Sequence, residues 1–343
     1  MALPDVRRHL PRRGVPLPAL RLRCVVVLVP RVRSLNPPRE ARVTSPSLPW
    51  ETRGARLHLP RDRDLAYVVG RMGITTSQDV SPLFFGSVHT ARFAFLRLQK
   101  LRLLASFARP SATDPAWFTL NRDAVSWVAE AMDCDESELR TVSGIARTNL
   151  AAVRARNRLW VSLVLACRRT PGTGLLLFRP EWELRRARSH ESLVPDAQLV
   201  LQVEDGAELH ELVWFVELDA GTERLAVWAK KVEAYEEARR RGSLYGEPRW
   251  NVLVLVPTER RARSVARTCA ASPVGTLVFL ATQEVVEDGR ALEPVLVRAD
   301  HCGRADAPLW TLAGVCKPII EADQRSRSTV ERGTEDEVRG ETP

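Results

Sequence analysis

Apolar positions change period twice along the chain, and the changes divide it. Leu65, Val68, Val69 and Met72 recur at i, i+3, i+4 and i+7 and predict a helix that Asp62 caps and Gly73 ends. Thr75 or Thr76 starts a short second helix carrying Val80 and Leu83, which Gly86-Ser87 breaks. A third helix is expected over about Val88 to Leu101, with Phe93, Leu96, Leu98 and Leu101 partly inward. Leu103–Phe107 and Ala116–Leu120 read as short strands around an Arg109-Pro110 to Pro115 turn, and Asn121 caps a further helix to about Met132.

Residues 133–148, with Asp133, Asp135, Glu136 and Glu138, read as an acidic linker. A helix is expected from Asn149 to Arg169, with Val153, Leu159, Trp160, Leu163 and Val164 along its apolar stripe and Pro171-Gly172 at its end. The period then turns to that of strands. Leu175–Phe178 leads into Glu181–Leu184, Leu193–Leu201 follows, and Leu212–Asp219 is apolar enough to be central. Gly221-Thr222 opens a helix to Arg241, Trp250–Val256 is a strand, Thr258–Ala270 a helix and Gly275–Ala281 a strand. Over 57–132 the order helix, helix, helix, strand, strand, helix is that of a winged helix-turn-helix domain. Over 149–318 the order helix, three strands, helix, strand is that of a restriction-endonuclease-like α/β domain with a central mixed sheet. The fold class expected is therefore α+β or α/β with two domains.

Composition adds limits. The 343 residues are 45% hydrophobic and 27% charged, which excludes wholesale disorder and collagen-like or coiled-coil architecture. No apolar run approaches a membrane span, and Cys24–Val29 is too short for a signal segment, so a cytoplasmic protein is expected. The net charge of +9 is unevenly placed: residues 1–63 hold fourteen arginines against four acids, which leaves the remainder at −1. Residues 1–56, dense in arginine and proline, are expected to be disordered. They read as a DNA-binding arm or as a functionless extension such as an early start codon produces, the second favoured because composition alone carries little. Residues 319–343 read as a charged disordered tail. The six scattered cysteines form no C-x-x-C pair and read as reduced thiols. No nucleotide loop or nucleophile motif occurs, so no nucleotide or organic cofactor is expected and a small-molecule enzyme has no support.

Two groups of residues carry candidate chemistry. Between Val88 and Arg109 lie Arg92, Arg97, Lys100, Arg102 and Arg109, with no acid at all. Cations there suit phosphate contacts of a recognition helix, and His89, Thr90 and Arg92 are the base-edge candidates for double-stranded DNA. The second group is acidic. Pro195-Asp196 starts one strand and Glu217-Leu218-Asp219 ends the next, a spacing that resembles the PD-(D/E)xK nuclease signature with Asp219 where its lysine stands. Carboxylates on adjacent strands can share Mg²⁺ or Mn²⁺, with Asp196, Glu217 and Asp219 as ligands. Glu183 would be an accessory acid. At 100° per residue Lys231 lies beside the apolar face of Leu225, Trp228, Val232 and Tyr235 and can replace the missing lysine, whereas Lys230 points away.

From Leu57 to Val256 the chain resembles the replication-relaxation family of bacterial plasmids and mobile elements. The resemblance runs through Arg61-Asp62, Gly73-Ile74-Thr75-Thr76, Pro195-Asp196-Ala197, Phe215 to Glu223 and Lys231-x-x-x-Tyr235. It implies a winged helix joined to a PD-(D/E)xK-like domain and a role in replication or relaxation of extrachromosomal DNA, with plasmid replication or mobilisation proteins as further partners. Two functions are compatible with these residues: a metal-dependent DNA nickase, and a non-catalytic regulator of replication or transcription built on a nuclease-derived scaffold.

Overall fold

The computed structural model describes residues 60–314 apart from 108–113, 142–149, 188–190, 192, 207 and 305. The expected arm and tail, Arg109, Cys24 and Cys316 lie outside the described residues.

The first unit begins with α1 (Pro60–Met72), whose opening proline occupies a turn that needs no N–H donor. Asp62, expected as the cap, sits instead in the first turn, buried and paired with Arg97. After Gly73, at φ 78°, come β1 (Thr75–Thr76) and α2 (Ser77–Phe84), with the Thr76 hydroxyl accepting from Asp79 N. Ser87 caps α3 (Val88–Lys100) in the same way. β2 (Leu104–Phe107) and β3 (Trp117–Leu120) pair antiparallel, and β1 joins the far edge of β3 to give the order β1-β3-β2. α4 (Val125–Met132) closes the unit.

The start of the expected linker is packed. Asp135 and Glu138 form a capping box around a 3-10 turn, and Leu139 is buried. Arg140 N donates to Gly70 O at 2.9 Å, and a Cβ on Gly70 would meet Leu139 Cδ2 at 2.9 Å. Glycine lets this segment lie directly on α1.

The second unit runs α5 (Leu150–Arg169), β4 (Thr173–Pro180), α6 (Glu181–Arg186), β5 (Ala197–Asp205), β6 (Glu208–Leu218), α7 (Leu225–Arg241), β7 (Asn251–Val256), α8 (Glu259–Ala270), β8 (Val278–Thr282), β9 (Leu296–Arg298) and β10 (Leu309–Trp310). The seven strands form one mixed sheet, β10-β9-β8-β7-β6-β5-β4, in which β6, β7 and β8 are parallel and joined through α7 and α8. Leu212, Trp214, Val216 and Leu218 of β6 join the core that contains α5, and Phe215 faces α7 and α8 on the other side. Burial on both faces explains the apolar run.

Four expectations fail locally. Residues 181–184 are helical: Pro180 ends β4, and Glu181 and Glu183 precede Arg185 and Arg186, the charge order a helix dipole favours. β5 starts at Ala197, four residues after Leu193. The helix placed at Gly221 starts at Leu225, because Gly221, at φ 81°, belongs to a turn. Pro273–Leu277 is a 3-10 turn that delays β8 to Val278.

α5 binds the two units into one body. Leu159, Trp160, Leu163 and Val164 share a single buried cluster with Leu65 and Leu98 of the first unit and with Leu199, Trp214 and Val216 of the sheet. Polar contacts follow the same path. Asn157 Nδ2 donates to Ile74 O at 2.6 Å, Arg156 to Met72 O at 3.3 Å and Arg168 to Leu83 O at 3.1 Å. Buried Asp79 receives Arg154 at 3.4 Å and Arg158 at 3.1 Å as well as the Thr76 hydroxyl at 2.8 Å. Among the described residues no helix is long and apolar enough to cross a membrane. Asp79→Ala removes the acid that Arg154 and Arg158 share, leaving Arg158 only Glu287, and is expected to cost about 2 kcal/mol in urea unfolding, with both units still lost in one transition. Separate transitions in the wild type would contradict a single core.

Candidate functional site

Antiparallel pairing of β5 with β6 sets Ala197 against Val216, and Asp196 N donates to Val216 O at 2.9 Å. One residue further along this register, Asp196 and Glu217 stand opposite each other on the same face. Asp196 Oδ2 accepts the Leu218 N–H at 2.7 Å. Glu217 is held at both oxygens: Lys231 Nζ donates to Oε2 at 2.9 Å and Tyr235 OH to Oε1 at 2.7 Å. Lys231 and Tyr235 lie one turn apart on α7, so one helix face supplies both donors. Lys231 also pairs with Glu223 at 3.0 Å and sits 4.9 Å from the Trp228 ring centroid.

Asp219 lies two residues on, and it too has no free oxygen. Oδ2 accepts from Arg261 Nε at 2.7 Å and Trp228 Nε1 at 2.8 Å, and Oδ1 accepts from Gly221 N at 2.6 Å. The turn needs glycine, since residue 221 is left-handed and a Cβ there would stand 3.0 Å from Pro257. Glu183 lies elsewhere, on α6, paired with Arg71 of α1. Lys230 is exposed on α7.

On α3 the inward face is Ala91, Ala94, Phe95 and Leu98. His89, Thr90, Arg92 and Lys100 are exposed, as is Arg102 just beyond the helix. Arg92, Lys100 and Arg102 have no acidic partner among the described residues. Arg97 does: it is tied to buried Asp62. Phe93 and Leu96, expected partly inward, are 60% and 48% exposed. The two alanines occupy the seats that a count of large apolar residues gives to them.

A family model described as replication-relaxation matches residues 67–249, more than half of the chain. The chain belongs to the replication-relaxation family. The matched span holds α3, the opposed Asp196 and Glu217, and all of α7, while Arg261 lies beyond it. No curated protein and no solved structure matches the chain.

The electrostatics of this replication-relaxation protein follow from burial. Burial pushes the Glu217 carboxyl up to about 7, with the charge of Asp196 adding to it and Lys231 and Tyr235 opposing. Asp196 is raised by burial, against the Leu218 N–H and Lys231. Burial disfavours the Lys231 ammonium, yet Glu217 and Glu223 hold its pKa above the ordinary lysine value. Tyr235 is raised well above a free phenol by burial and by Glu217, so its hydroxyl stays a donor. Five of the six oxygens of Asp196, Glu217 and Asp219 accept protein donors, namely two of Glu217, two of Asp219 and one of Asp196, and a divalent cation there would compete with those donors. Among the described residues no group of three or more His, Cys, Asp or Glu is placed to hold a metal ion.

Sequence spacing pointed to Lys231 but missed the roles of Tyr235, Trp228 and Arg261. Tyr235 is signalled by its i+4 spacing from Lys231, whereas Arg261, 42 residues from Asp219, has no local signal. Because Glu217 is raised above its unfolded value of 4.5, its contribution to stability is complete below that pH and is lost as pH rises through about 7. Lys231→Met removes the charge that limits this loss. It is expected to cost about 3 kcal/mol at pH 8 and clearly less at pH 5 in denaturant unfolding. An equal penalty at both pH values would contradict the assignment.

Proposed function

We propose that this replication-relaxation protein binds duplex DNA of plasmids or mobile elements and acts in their replication or relaxation. The observation that carries the reading is the exposed outer face of α3, where Arg92 and Lys100, with Arg102 beside them, have no acidic partner among the described residues. In this reading the first unit is a winged helix-turn-helix, α2 and α3 form the helix-turn-helix, and α3 enters the major groove. Phosphate contacts by the cations supply affinity and register. Arg260, Arg263 and Arg267, exposed on one side of α8, supply further positive surface. The second unit serves as a rigid scaffold, with its carboxylates engaged by Lys231, Tyr235, Trp228 and Arg261.

A metal-dependent nickase is the second reading. It is favoured by Asp196 and Glu217 standing opposite each other with Lys231 adjacent, as in a PD-(D/E)xK site, and Mg²⁺ or Mn²⁺ would be its cofactor. The engaged oxygens weigh against it. Two assays separate the readings. Replacing Arg92 and Lys100 by alanine is expected to weaken duplex binding and lower the slope of log affinity against log salt by about 2, while Arg97→Ala chiefly lowers stability. An unchanged slope removes α3 from the interface. Incubation of supercoiled plasmid with Mn²⁺ is expected to give no nicking above an Asp196→Ala control; nicking that the substitution abolishes would establish the nickase.

A further inference from the structure

His89, Phe93, Leu96 and Lys100 follow one another at spacings of four, three and four residues, which places them on a single line along α3. That line is the crest of the exposed face, and its two middle members are apolar. Phe93 and Leu96 are among the most exposed large hydrophobic residues of the described chain. They do not stand loosely: the His89 ring lies edge-on to Phe93 at a centroid distance of 4.7 Å and an interplanar angle of 86°. Arg92, without an acidic partner among the described residues, stands beside them, Lys100 ends the line and Arg102 follows it.

We infer that Phe93 and Leu96 are the sequence-reading residues of the protein, recognising the C5-methyl groups of thymine in the major groove. The inference rests on the reading of α3 as the groove-entering helix. A helix laid in the groove turns its crest to the base edges and its flanks to the phosphates. Arg92 and Arg102 beside the crest and Lys100 at its end complement the phosphates, so the middle of the crest is left to the bases. Base edges in the major groove are acceptors and donors with one apolar exception, the thymine methyl. Pressing Phe93 against guanine O6 and N7 would strip those acceptors of water and return no donor, a cost that a thymine methyl does not carry. The His89 contact holds the Phe93 ring in place before binding and so reduces the ordering cost. Specificity therefore belongs to the apolar pair and affinity to the cations.

Wild-type protein allows a direct test, because deoxyuridine differs from thymidine by that methyl alone. Duplexes are first recovered from a random-sequence pool by binding to the full chain. They are then synthesised again with deoxyuridine in place of thymidine, and both forms are titrated by fluorescence anisotropy. Loss of about fifteenfold in affinity for the uracil form is expected, on the basis of roughly fourfold for each of two buried methyl groups. The F93A/L96A double variant, at two exposed positions, is expected to keep the wild-type unfolding midpoint and to bind both forms alike. Equal binding of the two forms by the wild type overturns the inference and leaves DNA binding in place. Failure to recover any duplex at low salt overturns the DNA reading itself. A double variant that binds both duplexes as the wild type does but loses self-association in sedimentation assigns the pair to a protein interface, which also overturns it.

Discussion

A carboxylate inside a sheet must be compensated by a partner, and the pairing of Glu217 with Lys231 is the compensation on which the second unit turns. Glu217 is 2% exposed at the end of β6, opposite a second acid. Without a counter-charge, two carboxylates there would destabilise the strand end by several kcal/mol. Lys231 and Tyr235 answer it from adjacent turns of α7, so the charge balance and the docking of α7 are the same event. Asp219 repeats the device for α8 through Arg261, with Trp228 of α7 as its second donor. The order β6, α7, β7, α8, β8 is thus fastened at its carboxyl end by ion pairs as well as by apolar packing.

α5 extends that rigidity to the first unit. Its apolar stripe lies in the same buried cluster as the sheet and α1, and its polar residues reach the carbonyl oxygens at the ends of α1 and α2. Arg71 returns the contact from α1 to Phe178 O at 3.2 Å and to Glu183. A helix carried on such a mount is held at a fixed angle. Under the proposed reading of α3 as a groove-entering helix this matters, since contacts to bases are lost when such a helix tilts away from them.

Much of this was legible in the chain, and the failures have physical causes. The helical period found α1 and α5 because their buried stripes are made largely of large residues, and it found the extent of α3 but not its inward face. It misplaced Phe93 and Leu96 because alanines, small enough to let α3 approach α1 and α2, hold the inward positions. Trp182 and Leu184 alternate as a strand would, and only the proline before them and the charge order around them identify the short α6. The acids were visible as a pair on adjacent strands, since register follows from period two. That Glu217 is engaged by both Lys231 and Tyr235, and Asp219 by Trp228 and Arg261, was not visible, because all four donors lie on helices whose rotation depends on the whole core.

In the proposed scaffold the Lys231 ammonium, rather than a divalent cation, is the counter-charge of Glu217 opposite Asp196. Calorimetric titration of the folded full chain with Mn²⁺ at pH 7.5 tests it most directly. No saturable heat beyond that of an Asp196→Asn/Glu217→Gln variant is expected. Stoichiometric binding in the wild type that the double substitution removes would contradict it.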